Sequence, residues 1–265
     1  MGILNITPDS FSDGGLYLES GPAVEKALEM ESEGADLIDV GGESSRPGAP
    51  PVPAREEIRR VLPVIRKLAG RMKIPMSIDT TKAAIAAAAL DEGAVIVNDI
   101  SAFRADPAMA GMVAERGAGC VLMHMQGEPG TMQLHPYYEN VVAEVALFLR
   151  ERIEAAIEAG VDPEAVAIDP GIGFGKTLDH NLRLLAELSA FRRLGRPVML
   201  GTSRKGMIGK ILGTSENDRV EGTTATVAAG ALLGADIVRV HDVREIVRVV
   251  KVIDRIRGAS EAVVQ

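Results

Sequence analysis

The stretch AVAIDPGIGFGK, residues 165–176, joins a short apolar run to a carboxylate and a glycine-rich segment. The apolar run predicts a buried strand, and Asp169 would stand at its carboxyl end because turn-favouring residues follow. The glycines at 171, 173 and 175 would let the backbone approach a bound ring or phosphate closely. We interpret the stretch as a strand ending in a functional loop; the alternative is that Asp169 only caps the next turn.

Two nucleotide-binding motifs do not fit this loop. A phosphate-cradling Walker loop needs glycine where this chain has Pro170, and a dinucleotide fingerprint needs a different glycine spacing. Phe174, between two of the glycines, offers an apolar face instead. The loop therefore indicates a ligand other than one bound through either nucleotide motif.

Composition limits the class of protein. With 265 residues and 46% hydrophobic content, the chain can bury one large core, as one α/β barrel or two smaller domains. A net charge of −8 gives little support for a nucleic-acid partner. The single cysteine, Cys120, excludes an intramolecular disulfide and suits a reducing cytoplasm. The sequence contains no apolar run near the roughly 18 residues of a membrane span, so we expect a cytoplasmic protein without membrane contact.

A repeating unit extends along the chain in both directions from this stretch: a short apolar run, a polar tip, and a segment of helical periodicity. The predicted strands are 3–6, 37–40, 75–78, 95–97, 119–123, 165–168, 197–200 and 237–240. The predicted helices are 21–34, 55–70, 81–92, 106–116, 138–159, 178–192, 216–233 and 242–257. Gly-Ala pairs at 34–35, 93–94, 117–118 and 234–235 are typical of left-handed glycines that end helices. The pattern predicts a single (β/α)8 TIM-barrel domain over residues 1–265, with an open doubly wound α/β sheet as the alternative.

Polar residues follow almost every predicted strand. They are Asn5, Asp39, Glu43, Asp79, Asn98, Asp99, His124, Asp169, Ser203, Lys205, Arg239 and His241. Taken alone, each could be a turn residue or a cap, and Asp79 before two threonines resembles an N-cap. Because the carboxyl ends of barrel strands meet at one mouth, the whole set predicts an active site there.

Seven motifs in this order resemble those of the dihydropteroate synthases. They are ILNITPDSFSDGG (3–15), DVGGESSRPG (39–48), SIDT (77–80), VND (97–99), DPGIGFGK (169–176), SRK (203–205) and RVH (239–241). The resemblance implies a pterin-binding TIM barrel of folate biosynthesis, a transferase of the pterin methylene group. Its reaction joins 6-hydroxymethyl-7,8-dihydropterin diphosphate to 4-aminobenzoate, giving 7,8-dihydropteroate and pyrophosphate.

Two other functions remain open for this scaffold. A pterin-dependent, corrinoid-linked methyltransferase could use the same pterin contacts, but it would not need the cations Arg46 and His241 for a diphosphate. A non-catalytic pterin-binding paralogue would be expected to lose Asp79 or a loop motif. The sequence retains all of these features.

The resemblance also implies roles for individual residues. The pterin would be bound by Asp79, Asn98, Met123, Asp169, Phe174, Lys205 and Arg239. The diphosphate would be bound by Asn5, Arg46, Arg239 and His241, and Asn5 would help to hold Mg²⁺. The 4-aminobenzoate would be bound by Phe11, Ser45, Pro47, Ser203 and Gly206. Asp79 and Lys205 would be catalytic.

The residue types agree with this chemistry. A carboxylate and a carboxamide suit the planar donor and acceptor edge of a pterin, and cations suit a diphosphate. Asp79 could stabilise positive charge developing on the pterin, or it could act as a general base. The scattered histidines do not indicate structural zinc.

Three further expectations come from the resemblance. Ser45 and Gly206 stand where many members have a threonine and a hydroxyl residue, so contacts to 4-aminobenzoate would depend partly on backbone groups. Members usually carry a segment before the first strand, so we expect the natural chain to begin upstream of Met1. The resemblance also implies a homodimer.

Overall fold

The strands and helices alternate along the part of the chain that the computed structural model describes, residues 1–6, 20–46, 48–215 and 217–261. The strands are β1 (Gly2–Asn5), β2 (Ile38–Gly41), β3 (Met76–Asp79), β4 (Ile96–Asp99), β5 (Gly119–Met123), β6 (Val166–Asp169), β7 (Met199–Leu200) and β8 (Ile237–Val238). The helices are α1 (Ser20–Ser32), α2 (Ala54–Ala69), α3 (Ala83–Asp91), α4 (Met109–Arg116), α5 (Val141–Glu158), α6 (Leu178–Ala186), α7 (Gly206–Leu212), α8 (Val220–Leu233) and α9 (Val243–Glu261).

The strands close into a barrel. Strands β1 to β6 pair in sequence order and in parallel, and β7 pairs with β8. Two backbone bonds join these sheets: Ile168 N donates to Pro197 O at 2.9 Å, and Ile3 N donates to Val240 O at 2.9 Å. The predicted TIM barrel is therefore confirmed, and the alternative of an open sheet is wrong.

The barrel strands are apolar because helices cover their outer faces and side chains fill the interior. One apolar residue in each of five strands is fully buried: Ile38, Ile78, Val97, Leu122 and Ile168. Each such side chain contributes roughly 1.5–3 kcal/mol by leaving water. Most polar residues of the strands lie at the carboxyl ends; Asp39 and Ser77 are exceptions, buried within β2 and β3, where Ser77 Oγ donates to Asp39.

Glycines end the helices before four of the strands, as the Gly-Ala pairs predict. Their φ angles are all positive: 100° at Gly34, 114° at Gly93, 58° at Gly117 and 109° at Gly234. Most residues avoid this left-handed conformation, whereas glycine adopts it without a steric penalty. The chain can therefore reverse sharply from helix to strand at these positions.

Two helical regions differ from the predictions. The predicted helix 178–192 is α6 followed by a 3₁₀ helix, Leu188–Leu194, in which Leu188 and Phe191 are both buried. A three-residue turn puts these two side chains on one face, which a continuous α-helix would do less directly. The predicted helix 216–233 corresponds to α8, which begins at Val220. The short helix α7 precedes it and lies outside the predicted helical ranges.

Candidate active site

A cavity of about 560 Å³ lies at the carboxyl ends of the barrel strands. The predicted site residues that line it are Asn5, Ser45, Arg46, Asp79, Phe174, Ser203, Lys205, Gly206, Arg239 and His241. Three others, Asn98, Met123 and Asp169, are buried at 2–4% exposure and do not line this cavity. Phe11 and Pro47 lie outside the described residues. The barrel thus gathers most of the predicted residues at one mouth.

One side of the mouth, here called the acidic wall, consists of Asp39, Asp79, Asn98 and Arg239. Arg239 donates through Nε to Asp39 Oδ2 at 2.6 Å and through Nη2 to Asp79 Oδ2 at 2.8 Å. Asn98 Nδ2 donates to Asp39 at 2.9 Å, while the buried Asn98 Oδ1 has no hydrogen-bond partner in the described structure. One guanidinium therefore forms hydrogen bonds with two carboxylates.

Asp79 does not cap the next helix. The N-cap residue of α3 is Lys82, whose side chain makes no capping hydrogen bond, and the first amide of the helix, Ala83 N, donates to Asp106 Oδ2 at 2.8 Å. Burial raises the pKa of Asp79 to about 7; Arg239 opposes this shift, and the negative charges of Asp39, Asp99 and Glu57 add to it. The N-cap interpretation is therefore wrong, and Asp79 titrates close to neutrality.

The opposite side, here called the basic wall, consists of His124, Asp169, Lys176 and Lys205. Lys205 Nζ lies 4.2 Å from the centre of the Phe174 ring and donates to the carbonyl of Ile172. Burial lowers the pKa of Lys205 to about 8, although Asp169 opposes the shift. Lys205 is thus fixed by a ring and a backbone carbonyl.

Asp169 caps the turn that follows β6. Its Oδ1 accepts a hydrogen bond from Gly171 N at 2.7 Å, as the alternative interpretation predicts. The same carboxyl is 4% exposed, and burial raises its pKa against the opposing charges of Lys205, Arg239 and Lys176. Capping orients Asp169 and is compatible with a ligand contact by its second oxygen.

The alternating glycines let the loop pack closely against neighbouring protein atoms. A Cβ atom on Gly171 would stand 1.8 Å from His124 O, and one on Gly175 would stand 2.3 Å from Gln126 O. One on Gly173 would meet the Lys205 side chain at 2.9 Å. These contacts explain why glycine is needed where the loop packs against the segment after β5 and against Lys205. Gly173 also lines the cavity, so a close approach of this backbone to a ligand stays a prediction.

Lys176 is a site residue that the sequence interpretation missed. It lines the cavity, is 3% exposed, and its Nζ lies 2.9 Å from both His124 Nδ1 and Phe174 O. Burial lowers the pKa of Lys176 well below its usual value and lowers that of His124 to about 2. The signal was available, because Lys176 ends the glycine-rich stretch.

The rim of the cavity carries further cations. Lys210 and Arg219 line it together with the predicted Arg46, and neither was predicted. Ser203 Oγ lies 3.0 Å from His241 Nδ1 and accepts a hydrogen bond from His241 N at 3.1 Å. Burial lowers the pKa of His241 to about 4, with Arg239 adding to the effect. At neutral pH His241 is therefore a neutral hydrogen-bonding group, and the arginines and lysine supply the positive charge.

Neither a metal-binding cluster of side chains nor a membrane-spanning helix is present among the described residues. They contain no group of three or more His, Cys, Asp or Glu side chains arranged to hold a metal ion. Among the helices of the same residues, none combines the length and apolar character needed to cross a membrane. A metal ion in this cavity would therefore need ligands other than a cluster of three such side chains.

Comparisons with known proteins agree with the site. The family described as pterin binding enzyme matches residues 1–241. The dihydropteroate synthase of Escherichia coli strain K12 is 44% identical over 261 residues, covering 98% of this chain and 92% of its own. The structure of the Yersinia pestis dihydropteroate synthase with a sulfonamide drug complex has a TM-score of 0.92 at 43% identity, covering 97% and 93%.

A second solved structure has a similarly close match. The Xanthomonas albilineans dihydropteroate synthase with 4-aminobenzoic acid has a TM-score of 0.91 at 46% identity, covering 97% of this chain and 92% of that one. The family predicted from the seven motifs is thus confirmed by sequence and by structure. This chain belongs to the dihydropteroate synthases, within the family of pterin-binding enzymes.

Proposed function

We propose that this chain condenses 6-hydroxymethyl-7,8-dihydropterin diphosphate with 4-aminobenzoate to form 7,8-dihydropteroate and pyrophosphate. One observation carries the proposal: a single cavity at the barrel mouth is lined by the polar groups of Asp79 and Lys205, suited to a heterocycle, and by the cations Arg46, Lys210 and Arg219, suited to a diphosphate. The related Xanthomonas protein binds 4-aminobenzoic acid, which supplies the second substrate. The chain is thus proposed to be a transferase of the pterin methylene group.

The pterin ring is proposed to lie between the two walls. Asp169 and Asn98 would bind its donor and acceptor edge, and the unpartnered Asn98 Oδ1 supports this role. Lys205 would donate to a ring heteroatom. Phe174, with Met123 packed behind it in one small apolar cluster, would contact the ring face. Each charge-assisted hydrogen bond would contribute about 1.5–3 kcal/mol.

The diphosphate is proposed to lie at the rim, bound by Asn5, Arg46, Arg239 and His241. Arg239 retains donors beyond the two that bind Asp39 and Asp79, because a guanidinium carries five N–H groups. Lys210 and Arg219 would add positive charge near the same anion. The rim thereby stabilises the negative charge of the leaving group.

Mg²⁺ fits the oxygen donors of this rim. Asn5 Oδ1 and Asp79 Oδ2 lie 3.6 and 3.7 Å from the point where a Cβ on Gly41 would stand, so the two oxygens lie beside the same glycine. Magnesium prefers oxygen ligands and usually keeps waters and substrate phosphates, so Asn5 and the diphosphate would form an adequate site. When bound, the ion would neutralise charge on the diphosphate.

The reaction breaks the bond between the pterin methylene carbon and the diphosphate oxygen, and pyrophosphate takes the electron pair. The amine nitrogen of 4-aminobenzoate then bonds to that carbon and loses a proton. Two roles suit Asp79: stabilising positive charge on the pterin, or accepting the proton. At about 4 Å and an effective dielectric near 20, the first role is worth on the order of 4 kcal/mol, or roughly a thousandfold in rate.

The 4-aminobenzoate is proposed to bind on the outer side of the pterin. Ser45, Ser203 and Gly206 line the cavity there, and Gly206 begins α7 directly after Lys205. Phe11 and Pro47 are proposed to complete this site. The single-domain organisation, the homodimer and the cytoplasmic location stay predictions.

Pyrophosphate release tests the proposed function. The purified chain is mixed with the pterin diphosphate, 4-aminobenzoate and Mg²⁺, and pyrophosphate and dihydropteroate are measured together. We expect equal amounts of both products, and chelation of the metal should lower the rate. Absence of both products from folded protein would contradict the proposal.

A further inference from the structure

The loop between β2 and α2 carries Ser44, Ser45 and Arg46 to the cavity. Arg46 is exposed, and the two serines are only half-buried. Such a loop needs support from outside itself if its side chains are to meet a substrate in one geometry. The support comes from the two ends of the loop.

Both ends of the loop are joined by one lysine. Lys82 Nζ forms an ion pair with Glu43 near the start of the loop and donates to Val52 O near its end at 2.9 Å. Glu43 Oε1 in turn accepts a hydrogen bond from Val52 N at 3.0 Å. Lys82 and Glu43 therefore hold the start and the end of the loop against each other.

The same lysine is anchored to the barrel. Lys82 Nζ lies 2.5 Å from Glu57 of α2, a fully buried carboxylate, and Thr80 Oγ1 donates to Glu57 at 2.8 Å. Thr80 directly follows the proposed catalytic Asp79 at the end of β3. The loop is thus connected through Lys82 and Glu57 to the end of the strand that carries Asp79.

We propose that Lys82 is a positioning residue for the second substrate: it holds the ends of the β2–α2 loop together so that Ser45 and Arg46 meet the aromatic amine and the diphosphate. The identity of those substrates rests on the proposed function. Asn98, Asp169 and Lys205 belong to other elements, so the pterin ring site does not depend on this loop. Loss of Lys82 should therefore separate turnover from pterin binding.

The test compares Lys82→Met with wild type and with a matched control, Arg66→Met. Arg66 also joins α2 to the end of α3, through Glu92, but its side chain is 69% exposed and does not line the cavity. Lys82→Arg keeps a long cation and should restore part of the function. Glu43→Gln weakens the same contact without removing the half-buried cation, so it remains informative if Lys82→Met does not fold.

Three measurements are made on each variant: kcat/KM for 4-aminobenzoate, the affinity for 6-hydroxymethyl-7,8-dihydropterin without its diphosphate, and hydrogen exchange at the Val52 amide. For Lys82→Met we expect kcat/KM to fall about tenfold or more, faster exchange at Val52, and pterin affinity within about twofold of wild type. Glu43→Gln should show a smaller change in the same direction, and Arg66→Met should show none.

Three results would overturn the inference: an equal fall in kcat/KM and pterin affinity, unchanged kcat/KM and exchange, or the same changes in Arg66→Met. If the wild type releases no pyrophosphate, the proposed function fails, and exchange at Val52 still decides whether Lys82 holds the loop. The two failures are therefore distinguishable.

Discussion

The acidic and basic walls of the barrel mouth fix their charges in different ways. On the acidic wall, Arg239 binds the carboxylates of Asp39 and Asp79 directly at 2.6 and 2.8 Å. On the basic wall, Lys176 and Lys205 donate to backbone carbonyls, and Asp169 accepts from a backbone amide. Charge is thus neutralised between side chains on one wall and held by main-chain groups on the other.

This difference suits the two parts of the proposed reaction. Main-chain contacts leave side-chain donors and acceptors of the basic wall available to a planar heterocycle that is itself uncharged. Two carboxylates sharing one guanidinium leave net negative charge on the acidic wall, where positive charge would develop on the pterin.

Removing Arg239 should have the largest effect on stability. Arg239→Met leaves Asp39 and Asp79 without their shared cation, and breaking a buried ion pair costs about 3–5 kcal/mol of unfolding free energy. Arg116→Met, which breaks an exposed pair with Asp91, is the control and should cost less than about 1 kcal/mol. Urea unfolding measures both, and equal losses would remove the distinction between buried and exposed pairs.

Asp79→Asn should lower kcat by roughly a thousandfold, since the amide cannot supply the negative charge worth on the order of 4 kcal/mol. The affinity for the free pterin should change little, because the amide keeps the shape of the side chain. Steady-state kinetics and calorimetry measure the two quantities. Normal kcat in this variant would mean that Asp79 has neither proposed role.

Asp169→Ala should lower the affinity for the pterin, whereas Asp79→Asn should lower kcat. Loss of one charge-assisted hydrogen bond worth about 1.5–3 kcal/mol weakens pterin binding by roughly 10- to 150-fold. Calorimetric titration with 6-hydroxymethyl-7,8-dihydropterin measures this change. The control is Asp162→Ala, which removes a cap on the exposed surface before β6; equal losses in the two variants would show that Asp169 acts only on folding.

The reaction should slow in acid because of Asp79. Its pKa is raised to about 7, so the proton is bound below that pH and the negative charge is lost. We expect kcat/KM for the pterin diphosphate to fall about tenfold per pH unit below 7. His241, with a pKa lowered to about 4, stays neutral over this range. Asp79→Asn should lack this inflection, and an unchanged profile in that variant would exclude Asp79 as its source.

Lys176→Met should lower stability less than Arg239→Met does. Removal of the Lys176 amine leaves the Phe174 carbonyl and a His124 ring nitrogen without this partner, whereas Arg239 is hydrogen-bonded to two carboxylates. We expect a loss of about 1–2 kcal/mol in urea unfolding. A loss equal to that of Arg239→Met would contradict the contrast between the walls.

The sequence predicted the barrel well because its signals are local. Alternating apolar runs and helical segments indicate the strands, and glycines such as Gly34 and Gly234 must end helices whatever surrounds them. The sequence also predicted many of the polar residues that line the cavity, since they follow buried strands, but it missed Lys176, Lys210 and Arg219. These features depend on neighbours within about one turn or strand.

The connections between those residues were not predictable in the same way. Arg239 and Asp39 are 200 residues apart, and nothing near either one indicates that a single guanidinium joins Asp39 to Asp79. Lys176 resembles an ordinary loop lysine until the fold buries it against His124. The 3₁₀ helix at Leu188–Leu194 is likewise decided by which side chains the barrel buries. Long-range pairing and burial therefore determine the structural features that local sequence patterns do not predict.

A crystal structure with 6-hydroxymethyl-7,8-dihydropterin bound would test the contrast between the walls most directly. We expect the ring between Phe174 and the acidic wall, with its polar edge about 2.7–3.2 Å from Asp169, Asn98 and Lys205. A ring bound at the rim beside Ser45 and Arg46, with Asp169 contacting only Gly171, would contradict the account.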